Sequence, residues 1–135
     1  MLQAVPLKDD KMVDDRFLFI AKREALKSNL RTHKMSCIVI SKRKAYLMLR
    51  AFNQIVYDSR FNNGKRSIHA EEALIVKAAK RGMRLSGVTV IVYRHKRGDG
   101  SPGSSRPCSR CYFLLKRAGV RRVVFFEGGW VSEKL

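Results

Sequence analysis

The sequence predicts an α/β protein: a three-layer α/β/α sandwich on a mixed sheet of four or five strands. Two observations predict it. Short apolar runs alternate along the chain with segments whose apolar residues recur at helical spacing. One run, Val88–Tyr93, is apolar almost throughout, which marks a strand covered on both faces. The 135 residues suit a single domain, 1–135, large enough to bury a core. A hydrophobic share of 45% excludes global disorder.

The elements follow in order. Residues 1–12, with Pro6 and the Asp9-Asp10-Lys11 cluster, read as a peripheral arm. Asp14 or Asp15 caps a helix to about Asn29, in which Phe17, Ile20, Ala21, Leu26 and Leu30 recur between polar Lys22, Arg23 and Lys27. Met35–Ile40 is a buried strand, and a basic turn at Ser41–Lys44 leads to a second, Ala45 to about Phe52. Residues 53–68 form a long connector with the turn signal Asn62-Asn63-Gly64. A second helix spans Ser67 to about Lys80 and ends at Arg81-Gly82. After the strand Val88–Tyr93, the glycine- and serine-rich stretch Arg94–Arg106 needs no structure of its own. Pro107 opens a third helix, Cys108 to about Ala118, and Gly119 caps it before a strand, Arg121 to Glu127. The core thus covers about 14–127. Gly128-Gly129 then turn residues 128–135 into a short tail or antiparallel edge strand at Trp130–Lys134.

Charge narrows the partners. Lys and Arg number 29 against 11 Asp and Glu, a formal +18. Residues 1–20 hold three basic and four acidic side chains, so the excess lies wholly in the remainder. Such a chain attracts polyanions with salt-sensitive affinity, which suits nucleic acid or phosphate. A solvated face that promotes solubility is the other reading. Three cysteines without a secretory signal argue against a disulfide framework and for a cytoplasmic, reducing location. No apolar run approaches the roughly 20 residues of a membrane span.

The chemistry concentrates in two stretches, Ser67-Ile68-His69-Ala70-Glu71-Glu72 and Pro107-Cys108-Ser109-Arg110-Cys111. His69, Cys108 and Cys111 are three zinc-type ligands, and three protein ligands leave a fourth position for water, as in catalytic zinc sites. Two cysteines three apart lie on one helical face. Helix N-termini favour thiolates by their dipoles. Glu71, two residues from His69, approaches the same water without ligating. A closed structural site needs a fourth ligand, and Cys37, His33 and His95 are the candidates; Cys37, inside an apolar strand, reads as a buried free thiol. A redox role for Cys-x-x-Cys does not explain the preceding Pro107 or the upstream His-Ala-Glu.

With these residues the chain resembles the zinc-dependent cytidine/deoxycytidylate deaminase superfamily. The passages Ala25–Asn29 through Ile38–Ile40 and Ser67–Glu72 look most like its deoxycytidylate-type members. The resemblance implies a cytidine deaminase-like fold, a Zn2+ cofactor on His69, Cys108 and Cys111, and hydrolysis of cytosine to uracil in dCMP or a cytidine. Zinc-activated water would attack, with Glu71 as proton shuttle. It implies a substrate-binding asparagine after the second strand, for which Asn53 in Ala51-Phe52-Asn53 is the first choice and Asn62 or Asn63 the alternatives, beside Ala70. Arg94, Lys96, Arg97 and Arg106 flank the loop into the site and suit phosphate contacts, or decorate a tolerant surface loop. Homo-oligomers are frequent in the superfamily. After the fourth strand only Gly128–Leu135 remain, too few for the further helix and strand of fuller members, so one guide to substrate is missing.

Other readings share these residues. A polynucleotide cytosine deaminase suits the charge, although aromatics are sparse near the basic clusters in sequence. A tRNA adenosine deaminase shares both motifs. A nucleic-acid-binding module on a deaminase fold is the non-enzymatic reading, and Glu71 argues against it. Glu72 reads as a solvent-facing helix residue, and Trp130 as a lid on the core edge or a stacking surface.

Overall fold

Alternation along three neighbouring strands separates the layers. In β2 (Lys34–Ile40), β6 (Thr89–His95) and β8 (Arg122–Phe126), successive side chains leave opposite faces of the sheet. Cys37, Val39, Val90, Val92, Val123 and Phe125 pack on one face with Leu74 and Ala78 of α2 (Ala70–Lys80) and Leu115 of α3 (Ser109–Arg117). Ile38, Ile40, Ile91, Tyr93 and Val124 pack on the other with Phe17, Ala21 and Ala25 of α1 (Asp15–Ala25), and with Trp130. Helices therefore cover both faces, the sandwich that the sequence predicts. Fully burying each large aliphatic side chain here contributes roughly 1.5–3 kcal/mol over leaving it exposed.

The computed structural model describes residues 4–6, 15–41, 47–57, 60, 64–96, 98 and 101–135. Asp9-Asp10-Lys11, Asp14, the turn residues 42–44, Asn62, Asn63 and Arg97 lie outside the described residues. No helix among the described residues is long and apolar enough to cross a membrane.

The main sheet runs β1 (Ala4–Pro6), β9 (Trp130–Lys134), β8, β6, β2, β3 (Leu47–Phe52), with β7 (Pro102–Gly103) added beside β6. Among the described residues only β6 and β8 pair in parallel, Thr89 to Ile91 against Arg122 to Val124. The other neighbours are antiparallel, including the tail strand β9 on β8. Two short additions make the sheet larger than the expected four or five strands. Backbone groups of residues 4–6, inside the expected arm, pair with Val131–Glu133. Pro102–Gly103, inside the expected structureless loop, pair with Arg94 and His95.

Other boundaries moved for local reasons. The first helix stops at Ala25, short of Asn29, because Ser28 and Asn29 take other backbone partners. The Ser28 hydroxyl accepts from Leu30 N at 3.2 Å, and the Asn29 amide pairs with both backbone groups of Ile55, at 2.8 and 3.1 Å. The long connector holds an antiparallel ribbon, β4 (Gln54–Tyr57) with β5 (Lys65–Ile68). Since β5 includes Ser67 and Ile68, α2 starts three residues later than the sequence suggests. At the end of α3, Gly119 takes φ +88°, and a Cβ there would sit 3.0 Å from the Ser86 hydroxyl, so glycine is required twice over.

Leu74→Ala should lower unfolding free energy by about 2–5 kcal/mol, because its site on α2 is fully enclosed. Phe113→Ala, at a 60% exposed position on α3, should change it by less than about 0.5 kcal/mol. Urea unfolding of the three proteins checks the contrast.

Candidate metal centre and active site

Two helices begin at the same place, and neither is capped in the usual way. His69 is the N-cap of α2 (φ −69°, ψ 152°) and Cys108 the N-cap of α3 (φ −70°, ψ 166°). An N-cap side chain ordinarily accepts a hydrogen bond from the first turn. Here neither does, so both are left to face each other across the gap. The uncapped N–H groups leave a positive field at both helix starts, which stabilises thiolate.

The ligand atoms of His69, Cys108 and Cys111 lie within 4.8 Å of one another. His69 Nδ1 is 3.8 Å from Cys108 Sγ and 3.3 Å from Cys111 Sγ. Tetrahedral zinc, with bonds of about 2.3 Å to sulfur and 2.0–2.1 Å to nitrogen, sets its ligand atoms about 3.6–3.8 Å apart. The donor set fits zinc. Among the described residues Cys37, His33 and His95 do not join this group, so a closed four-ligand site gains no support. Cys37 is a fully buried thiol in β2, as its strand implies.

Glu71 lies in the first turn of α2 and is 3% exposed. Burial raises its carboxyl above the ordinary value, outweighing its own backbone hydrogen bond, the Cys111 thiol and the His69 charge, all of which lower it. Burial likewise pushes the Cys111 thiol well up, helped by the Glu71 and Cys108 charges. A metal bound there must displace a thiol proton, so affinity rises with pH. A carboxylate that holds its proton readily, beside a metal-type centre, is equipped for general acid–base work.

The approach to the centre is built by residues that sequence reasoning missed. Beyond the paired Ile91 and Val124, Ser105 plugs the space between β6 and β8. Its hydroxyl donates to Val92 O at 2.8 Å and accepts from Phe126 N at 2.8 Å, while its N–H donates to Phe126 O at 2.8 Å. The segment before Pro107 is thereby fixed to the sheet. Clefts at the carboxyl ends of parallel strands are the usual ligand sites of α/β proteins, and Cys108 is delivered there. Nothing local in the sequence flags a serine in this role.

Glu72 corrects its expected solvent-facing place. Its carboxylate bridges Arg66 of β5, at 2.8 Å, and Arg110 of α3, at 2.7 Å, with its side chain 15% exposed. The bridge ties the start of α2 to the start of α3. Burial pushes this carboxyl up, but Arg110 and Arg66 outweigh it and hold the group below its ordinary value.

The remaining substrate candidates are scattered. Asn53 is buried, with Oδ1 accepting from Met35 N at 2.8 Å and Nδ2 donating to His33 O; it fastens residues 33–35 to the end of β3. Ala70 is buried as the first residue of α2. Arg94 alternates with Val90 and Val92, on the face that carries α2 and α3, and its stem lies against Gly103. Arg106 is engaged by Glu127 at 2.6 Å, Glu133 at 3.4 Å and the Tyr112 hydroxyl at 3.2 Å, over the Phe125 ring. Trp130 is buried edge-on to Phe126, so it covers the core edge.

Fold and site together define an α/β/α protein with a three-ligand, zinc-type centre beside a buried carboxylate. The family model for the cytidine and deoxycytidylate deaminase zinc-binding region matches residues 11–127, and the chain belongs to this family. Membership implies a hydrolase acting on carbon–nitrogen bonds. No curated protein matches the chain. Among solved structures, dCMP deaminase from the cyanophage S-TIM5 in apo form is similar, with a TM-score of 0.60, 21% identity, and coverage of 85% of this chain and 82% of that one. The same enzyme in complex with dCMP and dUMP matches at 0.60 and 20%, covering 85% and 81%. Cytidine deaminase from Burkholderia pseudomallei matches at 0.65 and 15%, covering 90% and 91%. At these identities the likeness concerns the fold.

The Glu72 bridge makes a pH-dependent contribution. A carboxyl held low in the folded state stabilises above its unfolded pKa, and that stability is lost as pH falls through the folded value. Glu72→Gln should therefore melt below the parent at neutral pH, with the two curves converging as the medium is acidified through the carboxylate range. Thermal melts across that range measure it; a constant gap would exclude the charge as the cause.

Proposed function

We propose that the protein hydrolyses cytosine to uracil in a deoxycytidylate- or cytidine-type substrate. The observation that carries this reading is the convergence of His69, Cys108 and Cys111 within 4.8 Å beside buried Glu71. Those three side chains would hold zinc, which when bound would supply a Lewis acid that activates water.

The chain's own residues do the proton work. Hydrolysis adds water oxygen to C4 of the base, breaks the bond from C4 to the exocyclic nitrogen and releases ammonia. Glu71 takes the water proton on its carboxylate, passes it to the ring nitrogen N3, and then serves the leaving amino group. Its burial suits this role, since a raised carboxyl pKa lies nearer the working pH. Glu72 and Arg110 hold the two helix starts in register around the base. Ser105 keeps Pro107 and Cys108 against the sheet.

The family takes in both cytidine and deoxycytidylate deaminases, and the similar cyanophage fold solved with dCMP and dUMP supports a phosphorylated substrate. Arg94 is the cation we assign to its phosphate, because it lies on the site's face and has no ion-pair partner among the described residues. Arg106, engaged by two carboxylates, serves instead to brace α3 against β9.

Ammonia release from zinc-loaded protein tests the reaction. Glu71→Ala should lose turnover of dCMP and retain zinc, whereas Cys108→Ala should lose zinc. Ammonia release by Glu71→Ala, or full zinc content in Cys108→Ala, would overturn the respective assignment. Arg94→Ala should raise KM for dCMP about tenfold or more, as loss of a charge-assisted hydrogen bond does, with little effect on deoxycytidine. Equal changes for both substrates would remove Arg94 from the phosphate site.

A further inference from the structure

The first turn of α3 is built against its own dipole. Acids favour the start of a helix and cations its end. α2 follows that rule, with Glu71 and Glu72 in its first turn. α3 breaks it: its first turn holds no acid, and Arg110 stands there as the second residue, between Cys108 and Cys111. The two helix starts also converge on the metal centre, so two positive ends meet there. Left alone, that arrangement pushes α3 away from α2.

Glu72 supplies the missing negative charge from the neighbouring helix. It lies three residues beyond the N-cap His69, on the same side of α2. A glutamate at this position commonly reaches back to the N-cap N–H. Here one oxygen, Oε2, accepts from Arg110 Nη2 at 2.7 Å and from Arg66 Nη2 at 2.8 Å, while Oε1 is buried without a hydrogen-bond partner among the described residues. The link from β5 through α2 to α3 thus passes through a single atom. Exposed ion pairs hold little in place. This carboxylate is 15% exposed and meets a guanidinium from each neighbouring element.

The link ends between the metal-type ligands. Arg110 is two residues after Cys108 and one before Cys111, so whatever holds Arg110 sets the height and rotation of the turn that carries both sulfurs. Cys111 is anchored by burial. His69 and Cys108 are both exposed, and packing alone does not keep them 3.8 Å apart. Ser105 fixes the segment before Pro107 to the sheet, but that contact does not reach α2.

We infer that Glu72 is the positioning residue of the metal centre: steadied by Arg66, it clasps Arg110 across the two helix starts and keeps Cys108 and Cys111 in register with His69. The inference rests on the reading of those three side chains as zinc ligands. Its consequence is tighter metal binding and a complete three-ligand set, before any chemistry on substrate.

The test reads metal binding, not turnover. Zinc affinity is measured by chelator competition at neutral pH, at a temperature where every variant is folded. Glu72→Gln should raise the Kd for zinc about 10–100-fold, the usual cost of losing a partner that holds ligands in place. Cobalt loaded to saturation reports the ligand set: its sulfur-to-metal charge-transfer band should be weaker per metal in Glu72→Gln, as Cys108 leaves the ion. Arg110→Gln should match Glu72→Gln, and the double variant should lose no more than either alone, because both act through one bond. Arg110→Lys, which keeps the charge, should recover most of the affinity. Ile38→Val, a core deletion on the opposite face of the sheet, should melt below the parent and keep its zinc Kd and cobalt spectrum.

Parental zinc affinity in Glu72→Gln would overturn the inference and leave the metal centre standing. Additive losses in the double variant would do the same, since Arg110 would then act on the sulfurs directly. An equal loss in Ile38→Val would reduce Glu72 to a general stabiliser of the fold. A parent that binds no zinc would remove the metal centre itself, and this inference with it.

Discussion

The parallel pairing of β6 with β8 is the constraint on which the rest depends. Two adjacent parallel strands must be joined by a crossover over one face of the sheet, and α3 is that crossover. The chain therefore leaves β6 at its carboxyl end and must start α3 near the sheet's upper edge. Past Ile91 and Val124 the two strands no longer pair with each other, and backbone groups of Val92 and Phe126 need partners in a buried place. Ser105 supplies them with its hydroxyl and its own N–H. The hydrogen bonding that closes the gap also sets where Cys108 begins the helix.

Helix starts then become chemical groups. A histidine and a cysteine in N-cap positions leave N–H groups uncapped, a local cost of about 0.5–2 kcal/mol for each missing cap. In exchange, the side chains that would have capped are free to converge, and both helix dipoles favour the deprotonated thiol. Glu71 sits behind them in low dielectric, so it holds a proton more readily than an exposed glutamate. Glu72, one residue on, meets two guanidiniums and stays ionised. Neighbouring glutamates thus acquire opposite tendencies from environment alone.

Charge is unevenly used across the molecule. Arg106 is locked between Glu127, Glu133 and an aromatic ring, where it braces α3 against β8 and β9. Around Lys77 the cations outnumber the acids that face them, on the rim of a cavity walled by Phe52, Ile68 and Val76. One net charge covers two physical situations: structural guanidiniums with fixed partners, and a rim that remains open to an anion.

Much of this was legible in the sequence. The apolar alternation of β2, β6 and β8, the helical spacing of α1 to α3 and the antiparallel tail strand follow from side-chain period, which is local. The two motifs also carry their own chemistry, because His-x-Glu and Pro-Cys-x-x-Cys each place their donors within one turn. What local pattern could not decide lies in long-range pairing. The β4–β5 ribbon, β7 and the strand at residues 4–6 are too short or too polar to show a period, and exist because a neighbouring edge offers hydrogen bonds. Ser105, Glu72 and Arg106 look like surface residues until their partners, 6 to 38 positions away, arrive. Phe52 is far from the α2 lysines along the chain and lines the same cavity only once folded. Side-chain period and motif chemistry are properties of neighbours in sequence; a buried partner, a filled gap or a crowded rim is a property of neighbours in space.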